Sequence, residues 1–136
     1  MSNDLRRGRQ VVSKLHVHLV FVTKYRRNAL TKEILTDMNQ IFNEVCMKFD
    51  AQLMAFEGER DHVHLLIQYE PKTSISSLVN SLKGVSSRLI RKKQYPTITS
   101  ELWGNAIWSP SYFAASCGGA PLEIVKQYIE QQYTPN

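Results

Sequence analysis

The sequence is poor in cysteine and in long apolar runs. Its two cysteines, Cys46 and Cys117, are far apart and form no CxxC motif. This excludes a disulfide framework and a CxxC-type zinc site, and it is typical of thiols kept reduced in the cell. The first ten residues lack the apolar core of a signal peptide, and no apolar run approaches the ~20 residues of a membrane span. We therefore expect a cytoplasmic protein.

Acidic residues are the minority charge. The chain has 17 Lys and Arg against 12 Asp and Glu, a formal net charge of +5 and a pI near 9.3. This balance favours a polyanionic partner, nucleic acid first and an acidic membrane surface second. Charge alone also leaves open a basic protein that has no such partner. The length of 136 residues indicates one domain with its own core, since ~100–200 residues per domain is usual.

The hydrophobic pattern predicts four strands and three helices. Strands are predicted where β-branched and aromatic residues cluster: 14–25, 51–59, 62–70 and 106–116. Helices are predicted where apolar residues recur at spacings of three and four: 31–49, 74–93 and 120–133. Residues 1–12 form a basic N-terminal arm, and the whole chain, 1–136, is expected to be a single domain.

Local signals refine these elements. Thr31 is the predicted N-cap of the first helix, and Gly58 is predicted to supply the unusual dihedral angle of a hairpin turn. A loop is expected after the second helix, near Pro96, and Pro110 places the last strand at a sheet edge. The order of elements matches the split βαβ pattern. The predicted fold is therefore α+β and ferredoxin-like: an antiparallel sheet with helices on one face, plus a C-terminal helix.

All four histidines lie in two His-Val-His triplets, His16 to His18 and His62 to His64. On a strand, residues i and i+2 project to the same side with roughly 6.5–7 Å between their Cα atoms. Either pair can therefore converge on one metal ion. The spacing does not distinguish the two triplets, and histidines that are merely hydrogen-bonded or solvated on a sheet face fit it equally well.

The last predicted helix carries a second candidate pair. Tyr128 and Gln132 are four residues apart and so lie on the same side of the helix. An activated tyrosine hydroxyl is a competent nucleophile, and an amide oxygen can bind a metal. The alternative is that Tyr128 only extends the apolar stripe of that helix.

Five segments occur in a fixed order: HLVFVTKYRR at 18–27, DHVHLLI at 61–67, SLKGVSSRLIR at 81–91, WSPSYF at 108–113 and GGAPLEIVKQYIEQQ at 118–132. Together they resemble the single-tyrosine HUH transposases of bacterial insertion sequences, the insertion sequence 200/605 family. The resemblance covers nearly the whole chain. Several matching segments in order are far more specific than a single His-x-His motif.

The resemblance implies an activity and a set of residue roles. Tyr128 would be the nucleophile, and His62, His64 and Gln132 would bind a divalent metal, Mg²⁺ or Mn²⁺. The substrate would be single-stranded DNA with hairpins at element ends, cleaved and rejoined through a 5′-phosphotyrosine. A homodimer with active sites completed in trans is implied, and Gly118 and Gly119 would form the hinge.

Two further assignments follow for the basic and the remaining histidine residues. The expected DNA footprint consists of Arg26, Arg27, Lys83, Arg88, Arg91, Lys92 and Lys93. His16 and His18 are expected to be supporting or substrate-facing residues, close to the other pair because the first and third strands of this fold are neighbours.

Two other functions fit the same residues. One is a domesticated HUH tyrosine nuclease that acts on repeated palindromes, which genomic context would distinguish. The other is a non-catalytic ferredoxin-like domain that binds single-stranded nucleic acid. It would need no metal and would form no covalent adduct.

Overall fold

The computed structural model describes residues 14–102, 104 and 106–117. The elements within these ranges, in chain order, are β1 (Leu15–Val22), a 3-10 turn (Lys24–Arg26), α1 (Lys32–Lys48), β2 (Gln52–Gly58), β3 (His62–Tyr69), α2 (Ile75–Lys92), α3 (Pro96–Glu101) and β4 (Phe113–Cys117). The predicted arm over 1–12 and the predicted helix over 120–133 lie outside the described residues.

The four strands form one antiparallel sheet in the order β2, β3, β1, β4. The first and third strands are neighbours at its centre, which is the ferredoxin-like order. The predicted α+β fold is therefore confirmed. β4 lies at the edge of the described sheet, as Pro110 indicated, but it begins only at Phe113. The preceding segment contributes a single bridge between Trp108 and Thr23.

Side-chain alternation on β1 separates two faces of the sheet. Val17, Leu19 and Phe21 are buried in the main core with residues of α1 and α2. Each such side chain contributes about 1.5–3 kcal/mol when it is fully buried. The opposite face carries His18 and His64, which are 0% and 3% exposed. These two imidazoles are therefore not solvated, which removes one of the simple alternatives for a histidine pair.

The helix ends agree in part with the sequence signals. The Thr31 side chain accepts a hydrogen bond from the Ile34 amide, so the predicted N-cap is confirmed. A loop is predicted after α2, but part of that segment is helical, since Pro96 is the first residue of the short helix α3. Proline suits this position, since its missing N–H has no partner in the first helical turn.

The role predicted for Gly58 is wrong. Among the glycines of the described ranges, Gly104 alone has a positive φ. Gly58 is the last residue of β2 and lies against the Leu35 side chain of α1. A Cβ added at Gly58 would lie 2.4 Å from Leu35 Cδ2. The glycine therefore permits a close approach of strand and helix. It does not supply a left-handed turn.

A polar cluster links α1 to the end of α2. Lys93 Nζ donates to Asp37 Oδ2 over 2.7 Å, and the Tyr95 hydroxyl donates to the same oxygen. The hydrogen bond from Lys93, followed by that from Tyr95, lowers the pKa of Asp37 below its usual value. The carboxylate form of Asp37 is therefore stabilised by folding.

This cluster gives a pH-dependent prediction. The folded-state pKa of Asp37 lies below its unfolded value of ~3.9. The stabilisation of the fold by this carboxylate is therefore present above that pH and is lost as the pH falls through the folded pKa. We expect Asp37→Asn to lower the free energy of unfolding by roughly 0.5–1.5 kcal/mol at neutral pH. Urea unfolding should show this difference shrinking as the pH falls below about 4.

The matched control is Asp50→Asn. Asp50 pairs with Lys72 in a contact whose side chains are more than half exposed. It should change stability little, since exposed ion pairs contribute little. An Asp37→Asn effect that persists undiminished in acid would contradict the assignment.

Candidate active site

The two histidine triplets meet at the centre of the sheet. Val20 pairs with His64 in the register of β1 and β3, so His18 lies diagonally across from His64. His18 Nε2 and His64 Nδ1 are 3.0 Å apart, and the rings stack with centroids 5.1 Å apart. The expectation that the two pairs lie close together is confirmed, and His18 is the member of the first pair that makes this contact.

His62 lies next to His64 and has its own polar partner. The two rings are edge to face, with centroids 5.1 Å apart. His62 Nδ1 is 2.8 Å from Asp61 Oδ1. Arg26 donates to the other carboxylate oxygen of Asp61, from Nη2 over 2.9 Å and from Nε over 3.2 Å. Arg26, Asp61 and His62 therefore form a continuous hydrogen-bonded chain that ends at the imidazole.

Two opposing effects set the charge state of Asp61. Burial is the largest single influence and would raise its pKa, but hydrogen bonds from His62 and Arg26 together hold the pKa below its usual value. Asp61 is therefore a carboxylate that accepts from both sides. An ionised carboxylate beside an imidazole favours the tautomer in which Nδ1 carries the proton.

An unusual backbone brings Arg26 to this position. Tyr25 and Arg26 have φ values of 57° and 55°, which non-glycine residues seldom adopt. The preceding Thr23 is buried, and its hydroxyl lies within hydrogen-bond distance of the Arg27 and Asp61 carbonyls. These contacts hold the turn after β1 against the residue that precedes β3.

Two ring nitrogens of the site remain as candidate metal donors. The Nδ1 atoms of His62 and His64 are both engaged, so each ring would bind a metal through Nε2. Metal-binding histidines commonly use their second nitrogen in this way, which fixes the ring and its tautomer. Within 14–102, 104 and 106–117 no group of three His, Cys, Asp or Glu residues is arranged to hold an ion. The predicted third ligand, Gln132, and the predicted nucleophile, Tyr128, lie outside the described residues, as do Gly118 and Gly119.

Comparison with known proteins identifies the family of this chain. Residues 11–132 match the family model described as transposase, IS200-like. The chain belongs to the IS200-like transposase family. It is 31% identical over 130 residues to the ISDra2 transposase TnpA of Deinococcus radiodurans, covering 96% of this chain and 92% of that protein.

Two solved structures have a similar fold. A Deinococcus radiodurans protein described as a transposase has a TM-score of 0.73 and 31% identity, with coverage of 99% of this chain and 100% of that one. A REP-associated tyrosine transposase bound to a REP hairpin has a TM-score of 0.56 at 15% identity, covering 96% and 69% of the two chains. The second similarity concerns the fold alone. None of the helices in the described part of this family member is long and apolar enough to cross a membrane.

The basic residues predicted to bind DNA occupy different environments in this transposase. Arg26 is bound to Asp61, and Arg27 lies 3.9 Å from Glu101. Lys93 is bound to Asp37. On α2, Arg88 and Lys92 are exposed, and Arg91 Nε donates to Ser87. Their contacts with DNA stay predictions.

Lys83 has a distinct position. Its Nζ donates to the carbonyl oxygens of Ser109 and Pro110 over 2.7 and 3.2 Å, and that of Ser111 lies 3.5 Å away. Burial lowers its pKa. Lys83 therefore fastens the segment that leads into β4, a role that a search for basic residues in the sequence does not reveal.

The sequence pattern does not predict a role for Asp61, although this residue begins the segment DHVHLLI. The available signal was its position directly before the His-x-His motif, at a strand end where an adjacent residue can turn back to a ring nitrogen. The sequence pattern predicts no role for Tyr25 or Tyr112 either. They are 76% and 39% exposed, and the sequence alone gives no sign that they share one cavity.

The hydrogen bonds of Lys83 lead to a prediction about the stability of this protein. We expect Lys83→Met to lower the free energy of unfolding by about 1–3 kcal/mol, because the backbone carbonyls would lose their charged hydrogen-bond donor. Chemical denaturation would measure the change. The matched control is Lys92→Met on exposed α2 surface, which should be close to neutral. Equal effects of the two substitutions would contradict a structural role for Lys83.

Proposed function

We propose that this protein is a DNA transposase that cleaves and rejoins single-stranded DNA at insertion-sequence ends. Tyr128 is the proposed nucleophile, and His62, His64 and Gln132 are the proposed ligands of Mg²⁺ or Mn²⁺. The observation that carries the proposal is the pair of imidazoles on one sheet face, each with Nδ1 engaged, in a chain of the IS200-like transposase family.

The proposed reaction exchanges one phosphodiester for another. The Tyr128 oxygen attacks a backbone phosphorus and loses its proton, the bond from phosphorus to the 3′ oxygen breaks, and a 3′-OH leaves. The enzyme retains a 5′-phosphotyrosine, which a later 3′-OH attacks to rejoin strands and release the tyrosine. The bonds broken and formed are similar in energy, so no nucleotide cofactor is required. A bound divalent ion would supply positive charge beside a non-bridging phosphate oxygen.

The described residues orient the metal ligands. If His64 is to bind through Nε2, its Nδ1 carries the proton and donates to His18 Nε2. His18 is then a hydrogen-bond acceptor that carries its own proton on Nδ1. By the same argument, His62 Nδ1–H donates to the Asp61 carboxylate, which Arg26 holds in place. His18 and Asp61 are thus positioning residues for the two imidazoles.

The proposed substrate is a DNA hairpin with a single-stranded flank. The REP-associated neighbour of similar fold is bound to a REP hairpin, and the net charge of +5 favours a polyanion. A groove of about 350 Å³ runs between α2 and residues 106–110, and its lining includes Arg91, Ser87 and Gly84. No atom lies within 4 Å of a Cβ built on Gly84, so a DNA backbone can approach this surface closely. We also propose a homodimer in which each active site is completed in trans.

The nucleophile has a direct test. The protein is mixed with Mg²⁺ and a labelled single strand carrying its element end, and covalent adducts are separated under denaturing conditions. We expect the wild type to form an adduct and Tyr128→Phe to form none, because the attacking oxygen is missing. Tyr133→Phe is the matched control and should retain the adduct. An adduct formed by Tyr128→Phe would exclude this nucleophile, and binding without any adduct in the wild type would favour the non-catalytic alternative.

The role of His18 is tested by metal affinity. We expect His18→Leu to weaken Mn²⁺ binding by about 10- to 100-fold, because His64 loses the acceptor that fixes its tautomer. His18→Gln should restore part of the affinity, since its amide oxygen can accept the same hydrogen bond. Calorimetric titration at one fixed pH measures both, with a thermal melt to verify folding.

His16→Leu is the matched control for this experiment. His16 lies on the same sheet face, two residues before His18 on β1, and pairs with Gln68 and Cys117. It should leave Mn²⁺ affinity nearly unchanged. Loss of affinity in His16→Leu, together with full affinity in His18→Leu, would contradict the assignment.

A further inference from the structure

A cavity adjoins the histidine site at the end of β1. It has a volume of about 470 Å³, and its walls include Tyr25, Arg26, Tyr112 and Phe113, with Ser109 and Ser111. Val22 also lines it and pairs directly with His62 in the register of β1 and β3. Directly paired residues on one face have Cβ atoms roughly 4.5–5.5 Å apart. The cavity therefore begins one side chain away from the proposed metal ligand.

Aromatic rings are exposed at this cavity. Tyr25 is 76% exposed and Tyr112 is 39% exposed, and both are among the large apolar side chains left in solvent. The Tyr112 ring is supported from behind by Phe21, with centroids 6.5 Å apart in an edge-to-face arrangement. Two exposed aromatic rings in one concave site are typical of a binding surface.

The backbone at the cavity is held in a costly conformation. Tyr25 and Arg26 are consecutive residues in the left-handed region, which costs of order 1–3 kcal/mol for each such non-glycine residue. Such strain persists where the surrounding contacts enforce it, and here Arg26 is fixed by Asp61. The turn therefore presents the Tyr25 ring outward while its neighbour Arg26 reaches the His62 partner.

Positive charge accompanies both rings. Lys24 Nζ lies 5.6 Å from the centroid of Tyr25, and Lys83 Nζ lies 5.7 Å from that of Tyr112. Serine hydroxyls of Ser109 and Ser111 stand at the same wall and can donate or accept hydrogen bonds. Aromatic faces with nearby cations and small polar groups are the combination that binds bases of single-stranded nucleic acid by stacking.

We propose that this cavity binds an unpaired nucleobase of the substrate strand, with the base against Tyr25 and Tyr112 and its polar edge towards the two serines. The inference rests on the proposed function for its DNA substrate. A strand whose phosphate lies at the histidines then has a neighbouring base held by the cavity. The cavity contributes to positioning the scissile phosphate without itself taking part in bond cleavage.

The proposal predicts a loss of single-strand affinity without a loss of phosphate contacts. Tyr25→Ala and Tyr112→Ala should each weaken binding of a fluorescein-labelled oligothymidine by about 5- to 150-fold, the effect of removing one stacked base. Tyr25→Phe keeps the aromatic face and should bind within about 2-fold of the wild type. The slope of the logarithm of affinity against the logarithm of salt concentration should stay unchanged, because neither substitution removes a cation that binds phosphate.

Fluorescence anisotropy at several salt concentrations measures these values. Met54→Ala is the matched control: it removes a side chain that is 46% exposed on β2, outside the cavity, and should have no effect. Photo-crosslinking with a strand containing 5-iodouracil should label peptides that contain Tyr25 or Tyr112. Wild-type affinity in both alanine variants, or crosslinks confined to other peptides, would overturn the proposal.

The outcomes separate this inference from the proposed function. If the wild type forms the Tyr128 adduct while Tyr25→Ala and Tyr112→Ala bind with unchanged affinity, the cavity proposal fails and the transposase chemistry stands. If the wild type forms no adduct but both alanine variants lose affinity, the cavity binds bases and the proposed chemistry fails.

Discussion

The antiparallel pairing of β1 with β3 is the constraint on which the site depends. Its register sets Val20 opposite His64 and thereby puts His18 within hydrogen-bond distance of His64. A slip of one residue would turn the side chains of one strand to the other face of the sheet. Burial of Leu19 and Phe21 against the helices opposes that slip. The packing of the core on one face therefore determines which imidazoles meet on the other.

The same pairing brings a second set of groups together at one end of the sheet. In an antiparallel pair, the residues that follow one strand lie beside those that precede the other. The turn after β1 carries Tyr25 and Arg26, and the residue before β3 is Asp61. Arg26 holds Asp61, which accepts from His62. The strained turn thus contacts the partner of the proposed metal ligand and lines the adjoining cavity.

Much of the fold follows from local patterns, and the errors come from contacts between elements that are distant in sequence. Alternating and three-to-four spacings, with Thr31 as a cap, define the elements because each depends on residues close in sequence. Gly58 was misinterpreted because a glycine can provide either an unusual dihedral angle or space for a neighbour, and Leu35 comes from another element. The sequence does not distinguish Lys83 from other surface cations, because the carbonyls near residue 110 that accept its hydrogen bonds belong to a distant segment.

The sequence by itself determined the order of the four strands and the two long helices between them, the excess of positive charge and the faces on which the histidines lie. These properties depend on composition and on spacing along one strand or helix. Only the tertiary structure decided that His18, and not His16, supports His64, and that Asp61 and Arg26 support His62. Those partners are separated by up to 46 residues along the chain. Their contact depends on strand register and turn conformation, which the spacing within either triplet does not encode.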